Sequence, residues 1–274
     1  MPKFEKLRVS LAREEDLLLL QAVGDSNYQR SRTEFLAAAF SESRQFLSNG
    51  KMVFRFYPIT APEGFAAGFF SKPSPMRLAH EDLSPYVAEN YEASLFTISL
   101  DKAQIIWMEH NQKVGSPKRI LESFFDHLLK KSDLKDWAAY VRYFESEGDY
   151  WAAVERYRSQ ITKIVFRYVP PNAFEGKKLA QQYHTAVQAE ARNEVLEETF
   201  KSAPGKMNPE SEMMRANAEI AEEGAGEKEL RGSGNKLLYA SGQGRRSETV
   251  PEEDMPDAQN PTFVRRVIDR LFGR

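Results

Sequence analysis

The chain has 274 residues, with 38 Lys and Arg against 40 Asp and Glu, a net charge of −2 and no cysteine. That balance excludes the bulk positive charge of a histone-like or ribosomal protein, though not a local basic face. The missing thiols exclude disulfides, thiolate metal sites and cysteine nucleophiles. Hydrophobic residues make up 41% and aromatics 12%, enough to core one large domain or two small ones. No stretch approaches the roughly 20 apolar residues of a membrane-spanning helix. The first ten residues are charged and lack the apolar core of a signal peptide, so a soluble, cytoplasmic protein is expected.

In chain order, residues 7–11 read as a short edge strand, and 14–23 and 32–47 as helices. The second carries Phe35, Leu36, Ala39, Phe40, Phe46 and Leu47 on an apolar stripe. Two hairpins follow, 52–57 with 65–70 and 95–100 with 105–110, the latter across an Asp101-Lys102 turn. β-branched and aromatic runs bounded by turn residues are the signature of hairpins. A polar loop with a short helix around 80–90 separates them. Turns this short leave no room for crossovers, so the sheet is antiparallel. Gly115-Ser116-Pro117 then opens a helix, with Ser116 at the N-cap and Pro117 at the first helical position. Ile120, Leu121, Phe124, Phe125, Leu128 and Leu129 give it a wide buried face. Residues 134–144 and 150–157 read as two more helices, the second capped by Asp149.

Composition shifts near Ser159. Residues 161–169 alternate as a strand, with Ile161, Lys163, Val165, Arg167 and Val169 on one face, and Pro170-Pro171 stops it. Residues 174–200 read as one long helix and 211–223 as another ended by Gly224. A charged, Gly-rich linker (224–234) and strands at 236–240 and 248–250 follow. After an acidic loop, Asn260 caps and Pro261 starts a terminal helix. Its stripe is Val264, Val267, Ile268 and Leu271, with Phe263 and Phe272 beside it and Arg265, Arg266, Arg270 and Arg274 opposite. The expected fold class is α+β: an antiparallel sheet of consecutive hairpins with helices in 1–159, a smaller α+β domain in 160–256 and an amphipathic helix in 257–274.

Catalytic patterns are sparse. His80, His110, His127 and His184 are far apart and show no metal-ligand spacing. No Gly-x-Ser-x-Gly elbow and no phosphate-binding loop is present, and no cofactor is expected. A loose set of Asp101, Glu109 and Lys113 keeps a metal-dependent nuclease open as an alternative. The cations say more. Lys113, Lys118 and Arg119 surround a helix start whose free N–H groups attract anions. Lys163 and Arg167 share a strand face, Lys177 and Lys178 open the long helix, and Arg245 and Arg246 lie in a late turn. Brought together they would track a phosphate backbone; scattered solvated charge is the alternative. The terminal helix has three readings: packing onto the body or a second subunit through Phe263, Val264, Val267, Ile268 and Leu271, lying on a membrane surface, or contacting nucleic acid.

The order hairpin, helix-bearing loop, hairpin, helix over 52–129 resembles the first domain of RexA-like phage-exclusion proteins. The strand at 161–169, Pro170-Pro171 and the helix with Lys177 and Lys178 resemble the start of that family's second, mobile domain. Residues 218–241 are similar to the C-terminal part of related bacterial proteins found near defence genes. The resemblance implies a soluble homodimer that binds double-stranded DNA with little sequence preference. It further implies a role in phage exclusion or abortive infection and cooperation with a separate membrane effector. The expected function is therefore non-catalytic, sequence-independent DNA binding in antiphage defence, with a metal-dependent nuclease or a protein-binding adaptor as alternatives.

Overall fold

The structure is a computed structural model that describes residues 1–13, 26–48, 50–101, 104–130, 137–144, 148–168, 196–223, 226–241, 245–256 and 263–273. Its contacts divide the chain into two compact units. Unit 1 comprises Met1–Lys6, Thr33–Ser132 and Ser247–Arg274; unit 2 comprises Leu7–Arg32 and Asp133–Arg246. This division differs from linear domains meeting at residue 159. The first strand begins in one unit and continues in the other, and the last segment returns to unit 1.

Unit 1 is a large antiparallel sheet of consecutive hairpins. Its strands are β1 (Lys3–Arg13, through Lys6), β2 (Arg44–Ser48), β3 (Met52–Ile59), β4 (Phe65–Pro73), β7 (Tyr91–Ser99), β8 (Ile105–Glu109) and β14 (Ser247–Thr249), in the order β14-β1-β8-β7-β4-β3-β2. Both expected hairpins form, and β4 pairs with β7 from Phe65↔Ser99 to Pro73↔Tyr91. Between them lies no helix. Residues 76–79 and 85–88 form a β-ribbon, β5 (Met76–Ala79) with β6 (Pro85–Ala88). It prolongs the β4–β7 ladder through a Ser74 N–H to Asn90 carbonyl bond of 2.7 Å. A strand pair already in register extends more readily than a new helix nucleates.

Two further expectations are revised. The strand read over 7–11 is part of a longer one, Lys3–Arg13, which pairs with β14 over Lys3–Glu5 and with a later strand from Leu7 to Arg13. The helix read over 32–47 ends early: α1 spans Ser26–Ala39, and β2 follows. Arg44 stops it, donating from Nε to the Ala39 carbonyl and from Nη2 to the Ala38 carbonyl, both at 3.2 Å, which satisfies orphan carbonyls of the last turn. Phe46 still reaches the core, now by strand alternation.

The core on this face is aromatic. α2 (Pro117–Leu129) buries Ile120, Leu121, Phe124, Phe125 and Leu128. Phe124 lies 5.1–5.6 Å from the rings of Phe40, Phe46, Phe56 and Phe70. Gly68 is required here, because a Cβ would sit 2.5 Å from the Phe56 ring. Ser116 stands at the N-cap without a side-chain capping bond, and Pro117 opens the helix as expected. The opposite sheet face is covered by the terminal helix, labelled α5 (Val264–Phe272). Val267 and Leu271 pack with Phe4, Leu95, Trp107 and Val250, and Val264 and Ile268 with Phe65 and Ala67.

Unit 2 contains the rest of β1, which pairs with β9 (Trp137–Tyr143) from Leu7↔Tyr143 to Arg13↔Trp137. That segment was expected to be helical. Its Trp, Tyr and Val content suits a strand, and seven cross-strand partners override local helix propensity. A second sheet runs β11 (Leu196–Lys201), β10 (Lys163–Tyr168), β12 (Glu227–Arg231), β13 (Leu237–Ala240). Helices α3 (Asp149–Tyr157) and α4 (Glu212–Glu223) cover one face. There Tyr150, Val154, Met214 and Ala218 pack on Ile164, Phe166 and Leu230. Gly148, with φ 87°, occupies the N-cap expected of Asp149. The long helix read over 174–200 is corrected at its end, where β11 pairs residue for residue with β10. The readings on 14–23, 174–195, Gly224, Asn260 and Pro261 fall outside the described residues.

Candidate nucleic-acid interface

The predicted cations divide between the units. In unit 1, Lys113 pairs with Glu92 at 2.9 Å, and Lys118 leans along its own helix to Glu122 at 3.8 Å. Arg119 is exposed and lines a cavity of about 850 Å³ with Gln45, Phe46, Leu47 and His127. The helix start at Ser116 therefore has its nearby lysines turned toward acids. In unit 2, Arg245 lies over the Tyr143 ring, 4.3 Å from its centroid, and the Arg246 N–H donates to the Phe144 carbonyl at 3.0 Å. Lys177 and Lys178 lie outside the described residues.

Lys163 and Arg167 share the β10 face turned away from α3 and α4, as their spacing predicts. Register then decides their fates. Arg167 lies opposite Glu197 on β11 and Glu227 on β12. Its Nε donates to Glu197 at 2.8 Å, and its Nη1 donates to Glu229 at 2.5 Å and Glu227 at 3.4 Å. Hydrogen bonding to Glu229 lifts the guanidinium above its usual range. Burial pushes the Glu229 carboxyl up, but bonds from Arg167 and Arg231 outweigh it and hold it below the usual carboxylate range. Arg142 reaches Glu227 at 3.2 Å, and Arg231 donates twice to Glu229 at 2.9 and 2.7 Å. Three arginines thus meet three glutamates and their charge cancels. Arg167 is a structural neutraliser, which corrects its assignment as a phosphate contact.

One row of this face differs. Lys163 lies directly opposite Lys201 on β11 and Arg231 on β12. Like charges facing across a ladder repel, yet neither Lys163 nor Lys201 has an acidic partner among the described residues. Lys201 and Arg231 were missed in the sequence, because 196–201 (LEETFK) and 227–231 (EKELR) carry adjacent charges that hide the alternation of burial along each strand. The fourth cation nearby, Lys228, is buried on the opposite, helix-covered face, 5.1 Å from the Tyr150 ring.

The nuclease set does not assemble. Asp101 accepts bonds from the Ser99 hydroxyl (2.9 Å) and the Gln104 N–H (3.3 Å) at one end of β8. Glu109, at the other end, accepts the Leu95 N–H at 3.1 Å, and Lys113 is held by Glu92. Among the described residues no three His, Asp or Glu side chains cluster to hold a metal. His80 stacks on Tyr86 at 4.3 Å, and His110 Nδ1 lies 3.0 Å from Glu5. Of the side chains named for a dimer contact, Val264, Val267, Ile268 and Leu271 are buried within unit 1, while Phe263 is half-buried.

Glu109 gives a test of this structural role. Burial raises its carboxyl above the usual range, and the Leu95 N–H only partly offsets this. A folded pKa above the unfolded value means that ionisation costs stability as pH rises past about 4.3. Glu109→Gln, whose amide oxygen still accepts the Leu95 N–H, is therefore more stable than the wild type at pH 7. The difference vanishes below about pH 4. Denaturant titrations at the two pH values check it; a variant destabilised at neutral pH contradicts it.

Comparison with protein-family models and with curated proteins finds no match to this chain.

Proposed function

We propose that the chain is a non-catalytic, sequence-independent binder of double-stranded DNA, with Lys163 and Lys201 as phosphate contacts. The observation that carries this reading is Lys163 directly opposite Lys201, neither with an acidic partner among the described residues, with Arg231 opposite Lys163 on the other side but paired with Glu229. A polyanion relieves the repulsion between the two lysines and recovers counterion entropy. The net charge of −2 makes the site local rather than global, so affinity is modest and strongly salt-dependent. The RexA-like resemblance supplies the setting, which is phage exclusion or antiphage defence in the cytoplasm beside a separate membrane effector. No described helix is long and apolar enough to cross a membrane.

Anisotropy titrations of two unrelated duplexes test it. Two to three contacts predict a log–log salt slope of about −1.8 to −2.7. Lys163→Gln and Lys201→Gln each reduce that slope by about 0.9 and weaken both duplexes alike. No binding at low salt, or a slope that neither change alters, contradicts the reading.

The adaptor and homodimer readings have one specific observation, the β5–β6 ribbon. All of its strand residues are exposed except the half-buried Ala88. Met76, Leu78, Tyr86 and Val87 face water, and the tip residue Leu83 is 82% exposed. A lone two-stranded ribbon is marginal in water, and contiguous exposed apolar side chains mark protein contacts. Met76, Leu78, Tyr86 and Ala88 share an uncharged face, with Val87 on the other beside Arg77, and the uncharged face meets its own copy across a two-fold axis without like-charge repulsion. Sedimentation is expected to give a dimer that Met76→Ser, Leu78→Ser and Tyr86→Ser together convert to a monomer. A monomeric wild type, or a triple variant still dimeric, argues against it.

A further inference from the structure

We propose that Glu229 gates the phosphate site by holding Arg231 back until a phosphate takes its place, a proposal that rests on the duplex-binding reading. Arg231 belongs to the cation row by register, opposite Lys163. Its side chain nevertheless folds one row inward. Nε and Nη2 both donate to Glu229 Oε2, at 2.9 and 2.7 Å, and Nη1 donates to the Asn235 carbonyl at 3.3 Å. The guanidinium fork is thus occupied by a carboxylate in the way a phosphate occupies it.

Glu229 is bridged. Its other oxygen, Oε1, accepts Arg167 Nη1 at 2.5 Å. When Arg231 leaves, the carboxylate keeps a cation, so no buried charge is stranded. The exposures fit a hand-over: the Arg231 side chain is 23% exposed and reachable, while that of Glu229 is 13% exposed and shielded. Lys163 and Lys201 make the first contact, and Arg231 adds the third by exchanging carboxylate for phosphate. Glu229 lowers affinity without forbidding binding, and discriminates against single anions too weak to displace it.

A double-mutant cycle on duplex binding tests this. Glu229→Gln keeps the acceptor for Arg167 but releases Arg231, and tightens binding about two- to fivefold with an unchanged salt slope. Arg231→Gln weakens binding and reduces the slope by about 0.9. The double variant binds like Arg231→Gln alone. Tightening that persists in the Arg231→Gln background reports general charge removal and overturns the gate, as does no tightening at all. If Glu229→Gln fails to fold, the Arg231→Gln slope still decides, because an unchanged slope places Arg231 outside the contact. A wild type that binds with these results sinks the gate alone; a wild type that does not bind at low salt sinks the parent reading with it.

Discussion

Arg167 and the three carboxylates around it organise unit 2. It sits on β10 between two strands that both present acids to it: Glu197 on β11, Glu227 and Glu229 on β12. Without a central guanidinium those acids would flank β10 with no cation between them. With it, and with Arg142 and Arg231 at the flanks, the middle of the face is electrically silent. The repulsion that remains is displaced to the end of the ladder, where Lys163 faces Lys201. Structure and proposed function therefore use neighbouring rows of the same strands, and the neutral row sets the charge state of the other.

The two units handle their sheets differently. Unit 1 covers both faces, with α2 and the aromatic cluster on one side and the terminal helix on the other. On the β5–β6 ribbon Met76, Leu78, Tyr86 and Val87 are exposed together. Unit 2 covers one face with α3 and α4, and on the other part-exposed Lys163 and Arg167 flank the fully buried Val165. A half-covered antiparallel sheet of this kind offers alternating side chains to solvent or a ligand. That is why the unit with the smaller core supplies the better candidate for a polyanion contact.

Local pattern was legible where it did not depend on distant partners. Both hairpins of unit 1 follow from their aromatic and β-branched runs, and α2 follows from Pro117 and its apolar spacing. The stripe of the terminal helix was readable, but not its destination, because the sheet face it covers is assembled from Phe4, Phe65, Leu95 and Trp107, far apart in the chain. Residues 137–143 and 44–48 looked helical because alanines and long apolar side chains suit either state; pairing with β1 and β3 decided them. The site shows the same limit. Lys163 and Arg167 were correctly put on one face, yet only register reveals that one faces lysine and arginine while the other faces glutamates. Lys201 and Arg231 sit in segments read as helix end and linker, so their convergence was invisible until the strands were paired.

The most direct test of the account is the stability of Arg167→Met measured against pH. Removing the guanidinium leaves Glu197, Glu227 and Glu229 facing one another, and the predicted loss is about 2 kcal/mol at pH 7. Because Glu229 is held below the usual carboxylate range in the wild type, that advantage is present at neutral pH and fades as acid protonates the folded carboxylates. The two denaturation curves should therefore converge toward about pH 3 to 4. A variant as stable as the wild type at pH 7, or a deficit that stays constant with pH, would contradict the claim that Arg167 neutralises this face.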